Sequence, residues 1–533
     1  MKLSFYGAAQ CVTGSCHCLE VNGKKILVDC GLQQGRDEID NSYLPFNPAA
    51  IDAVLITHAH IDHSGRVPML IKNGFTGRMI TTRLTADLLS IMLADSGHIQ
   101  ESDAEYQNKK NKRAGRPEIE PIYTVADAMR VPEFLTTVEY GEVVEVCEGV
   151  KATFIDAGHL LGSASIRLDL TEGNETRSIV FSGDIGNVDQ PILRNPQFFD
   201  GADYVVMEST YGNRNHTEVW SYTDELAEII DETLGKGGNV VIPSFAVGRT
   251  QELLYFMREI KDQNLVTSVK DFPVYVDSPL ARSATTIFCG DLTGYLDEEA
   301  IELVSEGEHM FSFPGMNMTE TVEESKLLNM DNVPKVIISA SGMCDAGRIR
   351  HHLKHNLWKE NSAVVFVGFQ SPGTLGRHLL DGAEKVKMFG EEIAVRAKII
   401  NFQGLSSHAD RDHLMEWIGK FKAPKPQHVF VVHGDSDVAP LFAETVQDMG
   451  FVAHAPLYPE EYDLITATKT AEGYTPEKKK PAFVAEKTSE AFKLLQQAMD
   501  SLTALVRKSR GRDNKTLNAF TEAVRGVIEK FKF

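Results

Sequence analysis

Thr57-His58-Ala59-His60-Ile61-Asp62-His63 gathers three imidazoles and a carboxylate directly after an apolar strand read at Ile51–Thr57. In an extended segment His58 and His60 project to one side, and the next turn carries Asp62 and His63 toward a second position. Neutral imidazole with carboxylate suits zinc, and two adjacent sites suit hydrolysis. The alternative is a solvated polar loop, but such ligand sets rarely cluster without a metal.

Working outward, further candidates stand where other apolar runs end. Asp29 follows Ile26-Leu27-Val28, and His159 closes Asp156-Ala157-Gly158-His159. Asp184 closes Phe181-Ser182-Gly183-Asp184, His408 lies in Ser406-Ser407-His408-Ala409-Asp410, and His433 follows Val431-Val432. Singly, each reads as an ordinary turn residue. Together they supply the carboxylate and imidazoles that a two-metal site still needs. Cys16-His17-Cys18 could also hold a metal, but without a second ligand pair at finger spacing a buried strand accounts for it better.

Length and charge restrict the rest. A chain of 533 residues exceeds a single core, so more than one compact unit is expected. Apolar runs such as Val429–Val432 and Val364–Val367 are too short to cross a membrane, and MKLSFYGAAQ has no leader pattern. Seven scattered cysteines read as reduced thiols of a cytoplasmic protein. A net charge of −21 argues against a generic nucleic-acid coat, though not against a nuclease with a local basic groove. The last 57 residues carry thirteen Lys and Arg against seven Asp and Glu, so the preceding 476 carry −27.

The first third reads as short strands: Lys2–Phe5, Cys18–Val21 and Lys25–Asp29, with Asn22-Gly23 as a hairpin signal, then Val150–Asp156, Ser165–Leu170 and Ser178–Ser182. A helix is expected at Leu84–Ser96 and a basic loop at Lys109–Arg116, either a lip of a groove or a solvated charge run. From Tyr211 the rhythm becomes strand–helix alternation, which implies a parallel, helix-covered sheet. The strands Ala397–Phe402 and His428–His433 then read as rejoining the first unit. The expected organisation is therefore a first domain at 1–210, an insert at 211–390, the first domain resumed at 391–465, and a linker with a helical tail at 466–533. In the tail, Phe492, Leu495, Met499, Leu502 and Val506 mark one amphipathic helix, and Phe520, Val524, Val527 and Phe531 a second.

The ordered set of Asp29, the HxHxDH run, His159, Asp184 and a late His resembles the metallo-β-lactamase fold. Glu208 in Met207-Glu208-Ser209-Thr210-Tyr211-Gly212, with His408 and His433 in their segments, resembles the motifs of its β-CASP branch of nucleic-acid-processing nucleases. Gly7–Ser15, Ser341-Gly342-Met343 and Gly373-Thr374-Leu375-Gly376-Arg377-His378 are similar, more narrowly, to compact prokaryotic ribonucleases related to the cleavage and polyadenylation endonuclease subunit. The resemblance covers about residues 1–465. It implies an α/β fold: an αββα sandwich, an inserted doubly wound β-CASP domain and a cleft between them, here followed by the helical tail.

By the same resemblance two Zn²⁺ ions bind per chain. His58, His60 and His159 hold one; Asp62, His63 and His433 hold the other; Asp184 bridges them, and Asp29 orients ligand histidines. His408, held by Glu208, is the implied general acid, and Asp62 is counted with this pair among the catalytic residues. The implied reaction is hydrolysis of single-stranded RNA, endonucleolytic with possible 5′→3′ exonuclease action, leaving 5′-phosphate and 3′-hydroxyl ends. The implied assembly is a homodimer. Ser244, Arg249, Ser341, Gly342, Arg348 and His378 are candidate RNA contacts, the first four at strand–helix turns whose amides can bind phosphate. No stacking motif is visible, so weak sequence preference is expected. Two other readings stay open: a hydrolase of another substrate on this fold, and a silent RNA-binding subunit, which would be expected to lack metal ligands.

Overall fold

A computed structural model of the chain describes residues 1–34, 40–216, 221–307, 309–371, 373–402, 405–475, 502, 505–506 and 513–530. The first sheet has eight strands, in the spatial order Thr468–Ala471, Glu461–Asp463, Lys2–Phe5, His17–Val21, Lys24–Val28, Ala53–Leu55, Arg78–Thr82 and Leu135–Val138. The second has seven, in the order Ala453–His454, His428–Val431, Tyr204–Met207, Glu175–Phe181, Ala164–Glu172, Val150–Asp156 and Val143–Cys147.

The two-residue period of the strands sorts side chains between layers. Leu19, Val21, Ile26 and Val28 meet Phe154, Ile166, Leu168 and Phe430 in a core between the sheets. Their neighbours Cys18 and Leu27 face an outer core with helical residues Leu70, Leu84 and Leu88. On the far side Val205, Met207, Val429 and Val431 pack against the helices Arg411–Gly419 and Val438–Asp448. The result is the expected αββα sandwich. Both faces of each sheet are covered, which is why the central strands are apolar throughout.

The insert is a six-stranded sheet, ordered Met316–Met318, Val274–Val276, Val336–Ser339, Val240–Pro243, Ala363–Phe366 and Lys398–Asn401. Every pairing in it is parallel.

Three expectations change. The strand Lys398–Asn401 pairs in parallel with Ala363–Phe366, so the insert extends beyond residue 390 and this strand does not rejoin the first domain. A parallel strand buried on both faces looks the same in sequence whichever sheet receives it. Thr468–Ala471, expected in a linker, instead pairs with Glu461–Asp463 as a sheet edge. Asp463 Oδ1 accepts the Ile465 and Thr466 amides to close the connecting turn. Lys109–Arg113 is not a loop but the end of a single helix Arg83–Arg113, because straight-chain charged residues are good helix formers.

Residues 478–533 form a unit separate from Met1–Glu477. Within that unit the helix Asn514–Lys530 matches the second expected stripe. Most of the first stripe, from Phe492 to Met499, lies outside the described residues, as do Arg507, Lys508, Arg510 and Arg512.

Candidate active site

Five strand ends of the sandwich converge on one edge: Val28, Leu55, Phe181, Met207 and Val431. The parallel pairings of Lys24–Val28 with Ala53–Leu55, and of Tyr204–Met207 with both Glu175–Phe181 and His428–Val431, align these carboxyl ends. The loops that follow carry Asp29, the His58–His63 run, Asp184, Glu208 and His433.

The side chains gather into three adjoining groups: His58, His60, His159 and Asp184; Asp62, His63 and His433; and Asp184, Glu208 and His408. His60 Nδ1 lies 3.1 Å from both His58 Nε2 and His159 Nε2. Asp184 Oδ2 is 3.5 Å from each of those two Nε2 atoms. Its Oδ1 faces the other group, 3.1 Å from His63 Nε2 and 3.6 Å from His433 Nε2. His433 Nε2 is also 3.4 Å from Asp62 Oδ2. One carboxylate thus presents one oxygen to each trio.

For His58, His63 and His159, outer partners fix which nitrogen carries the proton. His63 Nδ1 donates to Asp29 Oδ2 at 2.7 Å, and Thr57 donates to both Asp29 oxygens, from N and Oγ1, at 2.8 Å. Having donated to Asp29, Thr57 Oγ1 is left to accept from His58 Nδ1 at 3.1 Å. His159 Nδ1 donates to the Ser407 carbonyl at 3.1 Å. His433 Nδ1 pairs with Thr210 Oγ1 at 3.0 Å. In the neutral rings the inward nitrogens of His58, His63 and His159 are therefore lone pairs.

So many acceptor atoms of imidazole and carboxylate crowded within hydrogen-bond distance suit a bound cation. Asp184 Oδ1 and His433 Nε2 are both buried, and no hydrogen bond from a described residue reaches either. The donor set of imidazoles and carboxylates fits zinc.

The electrostatics agree at His58 and His159 but not at His63, where burial opposes the charge yet Asp184 and Asp29 raise the pKa well above the ordinary value, so without a metal that ring is held as the cation. Burial, reinforced by neighbouring imidazoles, pushes the pKa of His58 and His159 well below the ordinary value. Burial opposes ionisation of Asp184, but His433, His63 and His58 outweigh it and hold the carboxyl well below its usual range. Asp62 behaves likewise, its pKa lowered to about 2 by His433 and His63 against burial.

Beside this centre, Glu208 is 1% exposed. Its Oε1 accepts the Ile185 amide at 2.7 Å and His408 Nδ1 at 3.1 Å, and its Oε2 accepts the Thr210 amide at 3.2 Å. His408 Nε2 is thereby turned toward Asp184, 3.9 Å from Oδ2. Burial disfavours the imidazolium, yet Glu208 and then Asp184 outweigh it and raise the His408 pKa to about 9. The loop carrying His408 is pinned to the segment after Asp184, where Ala409 N donates to Ile185 O and Asn187 N to Ser407 O.

The expected RNA contacts fare differently. Ser244 is buried and bonded to Phe245 O and Thr250 Oγ1. Arg249 is buried and paired with Glu252, three residues on in the same helix. Arg348 binds Asp277 Oδ1 at 2.7 Å and the Glu320 carbonyl at 3.0 Å. These three side chains hold the insert together and are not free to grip phosphate. Ser341 is half-buried, and its hydroxyl donates to Ala346 O. Gly342 lies under the Phe245 ring. His378 is exposed and lines a separate basic hollow of about 560 Å³ with Arg350, Lys385 and Lys387. Sequence reasoning had passed over Thr57 and Thr210, although both stand inside the motifs it used; a hydroxyl next to a ligand histidine was the available signal.

Three family descriptions match the chain: the metallo-beta-lactamase superfamily over residues 10–89, the Beta-Casp domain over 250–379 and the Zn-dependent metallo-hydrolase RNA specificity domain over 392–456. A Thermus thermophilus protein named Ribonuclease TTHA0252 is 36% identical over 438 residues, which span 82% of this chain and 94% of that protein. A Methanocaldococcus jannaschii RNase J-like protein is 30% identical over 83% of this chain and 95% of its own length. The transcription termination factor FttA of the same organism is 31% identical over 84% of this chain and 69% of its own length.

Proposed function

Because the chain belongs to the β-CASP family of metallo-β-lactamase-fold metallo-hydrolases, we propose that it is a zinc-dependent ribonuclease that cuts single-stranded RNA internally. The observation that carries this reading is the division of Asp184 between two ligand trios, with the Glu208–His408 pair alongside. His58, His60 and His159 would hold one zinc ion and Asp62, His63 and His433 the other, with Asp184 facing both groups. Bound zinc supplies Lewis acidity, which activates water at neutral pH and offsets phosphate charge.

The chain's own residues do the rest. Asp29, Thr57, Thr210 and the Ser407 carbonyl hold the imidazoles in one tautomer and orientation, so nothing reorganises at the moment of reaction. Water, having given up one proton to bulk solvent, attacks phosphorus in line; the new P–O bond forms as the bond to the opposite 3′-oxygen breaks, and that oxygen leaves with the bonding electrons. His408 Nε2 faces that side and donates the proton the leaving oxygen needs. Glu208, bonded at Nδ1, fixes the tautomer and keeps the imidazole charged until it donates. The products carry 5′-phosphate and 3′-hydroxyl ends. The enzyme acts as a dimer in the cytoplasm, where its cysteines stay free. Among the described residues no helix is long and apolar enough to cross a membrane.

RNAs labelled at either end, bearing 5′-triphosphate, monophosphate or hydroxyl, test the reading. Internal fragments with 5′-phosphates, whatever the original 5′ end, are expected. A 2′,3′-cyclic phosphate would mean that the RNA's own hydroxyl attacked, which refutes attack by water. Light scattering reads the dimer.

A further inference from the structure

Two aromatic side chains stand exposed at the carboxyl edge of the insert's parallel sheet, Phe245 at 45% and Phe369 at 39%. Phe245 follows the strand Val240–Pro243, and Phe369 follows its neighbour Ala363–Phe366. The parallel register pairs Val240 with Ala363, so the two rings leave adjacent strands at the same edge. Phenylalanines have no polar reason to face water, and these two are firmly placed. The Phe245 ring lies against Gly342, where an added Cβ would sit 3.1 Å from ring atoms Cδ2 and Cε2. Gln370, next to Phe369, donates from Nε2 to the Gly342 carbonyl at 3.0 Å. Gly342 thus touches the Phe245 ring and bonds the residue next to Phe369.

The platform reaches the catalytic pair through Tyr211. The Tyr211 ring is 6.5 Å from that of Phe369 and 6.3 Å from that of His408. The exposed Arg214 lies with its guanidinium carbon 4.7 Å from the Tyr211 ring centre and 5.9 Å from that of Phe369. His216, packed edge-on to Tyr211, bonds the His408 carbonyl at 2.9 Å, so the aromatic group and the general acid share one support.

We propose that Phe369 and Phe245, with Arg214, form a stacking platform for the nucleobases immediately 5′ of the scissile phosphate. This rests on the ribonuclease reading above. Exposed aromatic faces beside a guanidinium suit bases, because every base has a π face, and such stacking tolerates any sequence. The side follows from the acid. His408 protonates the leaving 3′-oxygen, which belongs to the upstream nucleotide, and the platform lies beyond His408. It seats upstream bases and thereby holds the phosphate over the metal ligands.

The test is a scan of a short single-stranded RNA with one strong cleavage position, replacing one base at a time by an abasic nucleotide. For the native protein, abasic positions just upstream of the cut should raise KM about ten-fold, the usual worth of a stacked base, and downstream positions should change it little. In Phe369→Leu the upstream penalty should vanish, because the base there no longer gains a partner. Phe369→Tyr should restore it. A scan that is flat to within two-fold, or that peaks downstream, on a native protein that cleaves the intact RNA overturns the platform and leaves the ribonuclease reading standing. An upstream penalty that persists unchanged in both Phe369→Leu and Phe245→Leu also overturns it. Failure of the native, metal-loaded protein to cleave the intact RNA overturns both readings together.

Discussion

Replacing Glu208 by glutamine should slow cleavage by a factor that grows with pH. In the structure Glu208 Oε1 holds His408 Nδ1 at 3.1 Å in a site where the carboxylate is fully enclosed. With Asp184 it lifts His408 from an ordinary 6.5 to about 9 despite burial, which corresponds to roughly 3 kcal/mol in favour of the charged form. Glutamine keeps the shape but removes the charge. If His408 then returns to its ordinary value, its protonated fraction falls about 30-fold at pH 8 but less than two-fold at pH 6. A general acid works only while protonated, so activity is lost as pH rises through its pKa, and the substitution moves that alkaline limb to lower pH. Cations bound nearby repel the imidazolium and shift the limb down in both proteins, leaving the sign of the difference unchanged. The assay is single-turnover cleavage of a short RNA from pH 6 to 9, with zinc measured in each preparation. His408→Ala, which removes the acid outright, should lose about 10²–10⁴ at every pH with zinc retained. A Glu208→Gln deficit that is constant across pH, or zinc loss in either variant, would refute the division between ligands and acid.

The remaining predictions are simpler. Elemental analysis of protein purified without chelator should find about two zinc ions per chain, and Asp184→Ala should abolish cleavage; full activity with one metal or none would defeat the two-metal reading. Asp277 is fully enclosed and accepts from Thr319, Ser325, Arg348 and His352, so Asp277→Asn should destabilise the insert by about 3–5 kcal/mol, read as a lowered thermal midpoint. These partners hold its pKa below the ordinary value against burial, so the stability it lends is present above about pH 4 and is lost as pH falls further toward the depressed value. Cutting the chain after Pro476 should leave zinc content and short-RNA cleavage close to those of the full chain, because the ligands and the acid pair all precede it; their loss in a soluble truncation would place the tail in the active core.

What the sequence made legible follows the range of the interactions involved. The His58–His63 run is local, so its spacing alone announced a metal. Asp29, Asp184 and His433 were readable because each directly follows an apolar run, and strand ends are where a sheet displays side chains. Pairing partners were not readable. Lys398–Asn401 has the same apolar pattern whether it joins the sandwich or the insert, and only the ladder with Ala363–Phe366 decides it. Arg348 looked free because its partner Asp277 lies 71 residues away. Arg249 is the instructive failure, since Glu252 stands three residues on, and that spacing was visible as a helical ion pair. Phe245 and Phe369 carried no signal, because the strand order that brings them to one edge is a property of topology.

The same reasoning explains why the insert sits where it does. Glu208 and His408 are 200 residues apart, and the whole insert lies between them. Every proposed metal ligand lies outside it. The sandwich supplies all the proposed ligands, but His433, like His408, follows the insert, so the second metal group and the proton donor are both assembled when the two ends of the insert are brought together. Closing so long a loop is entropically costly unless the enclosed sheet is itself folded and docked. On the proposed reading, cleavage and the second metal group therefore both depend on the insert holding its two ends together. Weakening the insert at Asp277, remote in sequence from both members of the acid pair, should accordingly reduce cleavage near the melting transition. Had the donor pair and the metal ligands been local in sequence, the insert could melt without chemical consequence, and an RNA clamp and a nuclease would be two devices; here the contact at 3.1 Å makes them one.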